Sequence, residues 1–235
     1  MSERVLEVIH AGRVPYGEAL EWQRRLAQDR IAGRLAHDVL LLLEHPPVIT
    51  LGRNSHAEHV LADGAGIEVF EIERGGDVTY HGPGQLVGYP IIDLTHHRQD
   101  LHWYLRTLEQ ALIDALARLG VAAERHPGYT GVWTGGGKRK IASIGVHVKQ
   151  WVTWHGFALN VTTDLTAFDR IVPCGIAGVE MTSVEKETRD ALKDSLSVAG
   201  GGMPDGSLWD QTVSAVIQGF ESAFDLVAGA TSPVP

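Results

Sequence analysis

The chain has one cysteine, Cys174, among 235 residues, so no internal disulfide can form, and this fits a reducing compartment. It has no apolar run near the roughly 20 residues that a bilayer-spanning helix requires. The opening MSERVLEVIH is charged and lacks the apolar centre of a secretory signal. These absences predict a cytoplasmic protein with no membrane partner. Positive charge is scarce: 20 Lys and Arg against 29 Asp and Glu leave a net charge of −9. That balance argues against general nucleic-acid binding, which needs clustered cations to displace counterions. The only dense basic cluster is Lys138-Arg139-Lys140, a pattern that more often marks a solvated turn. Internal repeats, long charge blocks and composition shifts are missing too, so nothing marks a domain boundary, and the chain reads as one domain over residues 1–235.

What is present suits a soluble globular protein, with 44% hydrophobic and 21% charged residues and enough length for a sizeable core. Arg4–His10 alternates weakly as a strand, and Pro15 opens a helical stretch to about Arg30. Val39–Leu43 and Val48–Arg53 read as strands around a proline-fixed corner at Pro46-Pro47, followed by a polar surface loop over 54–66 and a strand over Ile67–Glu73. Asp100 to Leu119 has apolar residues at helical spacing, with Gly120 placed as a C-cap. Val132-Trp133, Ile141–Val148 and Val152–Val161 read as strands, with Gly135-Gly136-Gly137 as a turn. Thr182-Ser183-Val184-Glu185 has capping-box spacing, and Leu208 to Phe224 carries a last amphipathic pattern. The core is expected over about 4–226, with 197–207 a mobile Gly/Ser-rich loop and 227–235 a frayed tail. Many short strands with about three substantial helices predict a mixed α/β domain, a sheet packed against helices.

Arg74–Tyr89, RGGDVTYHGPGQLVGY, is the densest signal, with five glycines around His81 and Gln85. Gly75-Gly76 is a dipeptide of the kind that closes a hairpin, and Gly82-Pro83-Gly84 breaks the following strand. A tight double turn is the bland reading of such a run. Polar side chains beside open backbone favour a pocket instead.

Cys174 lies in Val172-Pro173-Cys174-Gly175-Ile176. Most free cysteines pack as small hydrophobes, but a Pro-Cys-Gly turn presents its sulfur and leaves following amides free. A nucleophilic thiol needs its pKa of about 8.5 lowered by a nearby cation, histidine or helix N-terminus. Lys138, Lys140, His81 and His155 are the available partners, and spacing alone leaves the choice open. Twelve histidines invite a metal reading, but no HxxxH or CxxC pairing appears, so no metal is expected. Gly82-Pro83-Gly84 is not a phosphate loop, because no GK[ST] follows it.

RGGxxTxHxxGQ at Arg74–Gln85, Lys140-Ile141-Ala142-Ser143-Ile144-Gly145, Pro173-Cys174-Gly175 and His155-Gly156-Phe157-Ala158-Leu159-Asn160 together resemble the octanoyltransferase family of lipoate biosynthesis, the lipoyl(octanoyl) transferases. The resemblance spans the Glu44-His45-Pro46 segment to about residue 185. It implies a biotin/lipoate ligase-like fold, a mixed sheet flanked by helices. It implies Cys174 as acyl-thioester nucleophile and Lys140 as the residue that depresses its pKa. An ammonium beside the thiol would favour the thiolate, and such a lysine could shuttle protons. The resemblance places substrate contacts at Arg74, Gly75, Gly76, Asp77, Val78, Thr79, Tyr80, His81, at Ser143, Ile144, Gly145, and at Gly156, Phe157, Ala158. His45, Arg53, Tyr89 and His155 rank second. Gly175 N–H and the Gly75-Gly76 backbone are candidate oxyanion donors.

The implied reaction moves an octanoyl group from octanoyl-acyl carrier protein to a lysine of lipoyl-carrier domains, such as those of 2-oxoacid dehydrogenases and the glycine cleavage H protein. A thioester donor is already activated, so no cofactor is expected. An acidic carrier would need a local basic patch on this chain, with Lys138–Lys140 and Arg24-Arg25 as candidates. Two alternatives remain open at this stage: an ATP-dependent lipoate or biotin ligase of the same fold, and a non-catalytic acyl- or carrier-binding protein.

Overall fold

A computed structural model describes residues 4–61, 66–173, 178–195 and 206–229. In chain order the elements are β1 (Val5–Arg13), α1 (Tyr16–Ile31), β2 (Asp38–Glu44), β3 (Val48–Leu51), β4 (Glu68–Glu71), β5 (Val78–His81), β6 (Gln85–Ile91), α2 (Leu101–Arg118), β7 (Ala123–His126), β8 (Tyr129–Thr134), β9 (Arg139–Lys149), β10 (Val152–Asn160), β11 (Glu180–Met181), α3 (Val184–Ser195), α4 (Leu208–Phe224) and β12 (Val227–Ala228). The large sheet runs β12-β1-β2-β6-β10-β9-β8-β7, with β11 also paired to β9, and a small sheet runs β4-β3-β5. The mixed α/β architecture expected from the pattern of elements is the one observed.

The apolar run of β2 has a two-sided explanation. Leu40 and Leu42 enter the core beneath α2 and α4, whereas Val39, Leu41 and Leu43 enter the core beneath α1. A strand covered on both faces has no polar alternation to show. β10 divides the same way, Phe157 and Leu159 to one core and Trp154 and Ala158 to the other. Helix α2 begins where Asp100 accepts from Trp103 N–H, and α4 where Ser207 accepts from Asp210 N–H. Each such cap stabilises its helix by about 1 kcal/mol. The two helices cross closely at Gly219, where an added Cβ would lie 2.2 Å from Ala111 O. No helix among the described residues is long and apolar enough to cross a membrane.

Several local expectations are corrected. Gly75-Gly76 does not close a hairpin, because β4 and β5 lie on opposite sides of β3, one parallel and one antiparallel to it. Alternation in sequence gives a strand its faces but not its partner. Gly82-Pro83-Gly84 does more than interrupt a strand: it carries the chain from the small sheet to the large one. Helix α3 is capped by Ser183, which accepts from Lys186 N–H at 3.2 Å, while Thr182 donates to Glu187 Oε1 at 2.7 Å. The tail does not fray from residue 227, since Val227 and Ala228 pair with Val5 and Leu6. The expected polar loop over 54–66 contains a helical turn, Ala57–His59, and Val60 bridges to Ile171. Nearly all of the loop expected at 197–207 lies outside the described residues.

Candidate active site

A cavity of about 340 Å³ opens where the small sheet meets β9 and β10. Strand β5 supplies one wall by simple alternation. Thr79 and His81 line the cavity, whereas Val78 and Tyr80 turn away into the core around Phe168, whose ring centroid is 5.6 Å from that of Tyr80. Of the contacts expected on this stretch, Arg74, Gly76, Asp77, Thr79 and His81 line the cavity, while Val78, Tyr80 and Gly75 do not. Gly75 instead packs on β9, donating its N–H to Val146 O at 2.9 Å, which withdraws it as an oxyanion donor. Ser143, Ile144, Gly145, Gly156, Phe157 and Ala158 all reach the wall.

Arg74 is buried and holds the loop to the small sheet through Thr50, with its Nη2 2.9 Å from both Thr50 O and Thr50 Oγ1. Asp77 receives Val78 N–H at 2.7 Å and His59 Nδ1 at 2.6 Å. His59 O in turn accepts from Val172 N at 2.8 Å, so the segment ending at Pro173 is hydrogen-bonded to the turn beside the cavity. Cys174 and Gly175 lie outside the described residues.

Lys140 is 1% exposed, an unusual environment for a lysine, and its Nζ lies 5.3 Å from the centroid of the Trp133 ring. Its backbone carbonyl accepts from Thr182 N–H at 3.0 Å, two residues after the start of β11. The basic run around it is no open patch. Arg139, on the other face of β9, is paired with Glu187 at 2.8 and 2.9 Å, and only Lys138 is exposed. Arg24 is likewise held, by Glu73 at 3.1 and 2.7 Å.

The floor is polar and buried. His81 gives its Nδ1–H to Gln85 Oε1 at 2.8 Å, because the Gln85 amide is itself donating to Asn160 Oδ1 and Tyr80 O. Burial drives the His81 pKa down to about 3, so the ring is neutral. His45 stands behind the wall, donating Nδ1–H to Val14 O and accepting from the Tyr89 hydroxyl, each at 2.7 Å. Burial lowers it to about 4. Tyr89 and His155 line the cavity, as ranked second, but Arg53 faces a neighbouring groove. His155 has φ +55 inside a strand, a left-handed conformation held in place by Gln23 Oε1, which accepts its N–H at 3.0 Å. His155 above all, then the Arg24 guanidinium and the Trp154 indole, hold the Glu73 carboxyl well below the usual carboxylate range.

Tyr16, Asn54, Gly128, Tyr129 and Thr130 also line the cavity and were not foreseen. Tyr16 sits at the start of α1 with helical spacing to core residues, so its pattern is that of packing. Only the Gly128-Tyr129 turn carried a visible signal. His96 and His97 belong to a polar network around Arg30 and Asp38. His97 lies 2.9 Å from Asp38 and His96 3.0 Å from Arg30.

The lipoyl protein ligase A/B catalytic domain family matches residues 15–197, a span that includes every wall of this cavity. Solved structures of similar fold include a lipoate-protein ligase A bound with ATP, with TM-score 0.68, 18% identity and coverage of 100% of this chain and 90% of that one. Another is a bi-partite lipoate protein ligase and its E2 lipoyl domain from Thermoplasma acidophilum, with TM-score 0.64, 20% identity and coverage of 100% and 88%. The fold is thus that of the lipoate-protein ligases. An octanoyltransferase of Gloeobacter violaceus is 66% identical over 169 residues, 72% of this chain and 75% of its own. One from Geobacter sulfurreducens is 50% identical over 216 residues, 90% of each chain. The chain belongs to the lipoyl protein ligase A/B catalytic domain family and, within it, to the octanoyltransferases, which are transferase enzymes.

Proposed function

We propose that the chain, acting as a single catalytic domain, moves an octanoyl group from octanoyl-acyl carrier protein to a lysine of a lipoyl-carrier domain, the first step of endogenous protein lipoylation. The acyl group would rest in between as a thioester on Cys174. The observation that carries this reading is a buried lysine, Lys140, on the wall of a cavity that also presents Ile144, Phe157 and Ala158 to a medium acyl chain. Gly145 and Gly156, paired across β9 and β10, let the Arg74-Gly75 loop and Gly88 of β6 pack against that wall, where an added Cβ would meet Gly75 O and Gly88 O.

In the first half-reaction the Cys174 thiolate attacks the carrier thioester carbonyl, and the tetrahedral oxyanion collapses with loss of the carrier's thiolate, which takes a proton from the Lys140 ammonium. In the second, the acceptor amine attacks the Cys174 thioester, gives its proton to the now neutral Lys140, and restores the Cys174 thiolate. No phosphoanhydride is cleaved, so ATP has no step to perform. Acceptors would be lipoyl-carrier domains such as those of 2-oxoacid dehydrogenases and the glycine cleavage H protein. A cytoplasmic setting follows from the carrier-bound donor.

Intact-mass analysis after mixing with octanoyl carrier protein tests the reading. An octanoyl adduct on the unmodified chain that vanishes in Cys174→Ala and is discharged by a lipoyl domain sustains it. An adduct or product that requires ATP would replace it with a ligase reaction, and tight binding without any adduct would replace it with a carrier-binding role.

A further inference from the structure

A second groove of about 380 Å³ lies directly behind the cavity wall. Neighbouring residues divide between the two: Arg53, Glu73 and Trp154 line the groove, while Asn54, Arg74 and His155 line the cavity. The groove has an apolar floor of Ala27, Ile31 and Trp154, and its rim carries Arg24, Arg53 and Lys149.

The charges on that rim are not balanced. Arg24 is neutralised by Glu73. His147 Nδ1 lies 3.1 Å from Glu73 O and 3.2 Å from the Arg53 guanidinium; it donates to the one or accepts from the other, and in neither case does Arg53 gain a negative partner. Neither Arg53 nor Lys149 forms an ion pair among the described residues, whereas Arg13, Arg30, Arg34, Arg106 and Arg125 all do. Exposed, unpaired cations around an apolar floor, on a chain of net charge −9, form a local exception to the repulsion an acidic partner would meet elsewhere.

We propose that this groove docks the acidic protein that delivers the acyl thioester. An acidic helix of that carrier would lie over Ala27, Ile31 and Trp154 and set its carboxylates on Arg53 and Lys149. The inference rests on the transfer reading above and gives the donor a position: its thioester arm would enter the cavity past the Arg53–Asn54 corner, since Arg53 lines the groove and Asn54 the cavity.

The test compares Arg53→Glu/Lys149→Glu with the unmodified chain on two donors, octanoyl carrier protein and the small uncharged thioester octanoyl-N-acetylcysteamine, with one lipoyl domain as acceptor. Charge reversal is expected to raise KM for the carrier-borne donor roughly tenfold, with kcat and the small donor changed less than about twofold, and high salt should shrink the difference. Equal losses on both donors, or an unchanged carrier KM, overturn the proposal. A rise confined to the KM of the lipoyl domain also overturns it and gives the groove to the acceptor. Titration of labelled octanoyl carrier protein against the two chains, with no acceptor present, reads docking apart from turnover. Weaker binding by the variant sustains the groove even if no acyl adduct ever forms, and equal affinity overturns it even if transfer is fast.

Discussion

Gly131 and Lys140 interlock across strands β8 and β9. A Cβ added to Gly131 would lie 2.9 Å from Lys140 Cε and 2.7 Å from Ala142 O, and the glycine adopts φ +134. Its N–H is fixed by Glu109 Oε1 at 3.1 Å, so the backbone cannot simply retreat. Gly131→Ala should therefore cost about 1–3 kcal/mol through backbone strain and displace the lysine as well. If Lys140 serves the reacting thioester, a shift of about 1 Å should lower turnover near a hundredfold. Chemical denaturation together with turnover per folded molecule checks this. Turnover that falls only in step with the folded fraction would leave Gly131 a purely structural residue.

Replacing Lys140 itself separates charge from volume. Lys140→Met keeps most of the buried chain and removes the ammonium, so kcat should drop by about 10²–10⁴. The pH at which Cys174 is half-maximally alkylated should climb toward about 8.5. Lys140→Arg keeps the cation but cannot give up its proton, so it should preserve the alkylation profile while losing transfer. Identical alkylation profiles in all three chains would remove Lys140 from any role in ionising the thiol.

Two of the three buried histidines, His81 and His45, give the fold an acid limit together with His155, which burial also shifts downward. Burial lowers His81 to about 3 and His45 to about 4, against about 6.5 in an unfolded chain. Both are neutral when folded and protonate first in the unfolded state. Their contribution is thus complete above about pH 6.5 and is lost as pH falls from there toward 4 and 3, each with a slope of up to about 1.4 kcal/mol per pH unit. His45→Gln should lower stability at neutral pH but flatten the acid limb. Urea melts at about pH 7 and pH 5 measure the slope, and equal slopes in the two chains would assign the acid limit to other groups.

How far the sequence could be read depended on whether the signal was local. The unbroken Val39–Leu43 run, the β9–β10 hairpin and the α2 periodicity were legible because each is specified by its own residues. Pairings over long separations were not. Nothing in Val227-Ala228 names Val5-Leu6 as its neighbour, and nothing in Gly75-Gly76 announces that β3 will lie between the strands it joins. At the site, Lys138-Arg139-Lys140 looked like one basic patch. The strand period sends Arg139 outward to Glu187 and Lys140 inward, information that was present in the alternation of the run it begins. Tyr16 and Gln23 left no such trace, since a helical residue that lines a cavity, as Tyr16 does, or holds the strand behind it, as Gln23 does, has the same spacing as one that merely packs.

Asn160 ties the cavity floor to the strand that follows the Cys174 segment. It accepts from Gln85 Nε2 at 3.0 Å and donates its own amide to Thr182 O at 3.0 Å, while Gln85 orients His81. All three side chains are buried, so Asn160→Leu would leave the Gln85 amide and the Thr182 carbonyl without these bonds, at about 1–3 kcal/mol for each unsatisfied group. Gln85 would keep only its bond to Tyr80 O to fix which end of its amide faces His81, which lowers the cost of turning the amide to place a donor against the Nδ1–H. The expected outcome is destabilisation by a few kcal/mol together with a changed His81 ring environment, read as a shift of its Nδ1–H resonance by NMR. Asn160→Asp, which keeps the acceptor for Gln85 but not the donor for Thr182, should hold that resonance near its original position. A resonance that stays at its original position in both variants would show that His81 takes its orientation from Thr50 instead, and would disconnect the floor from Thr182.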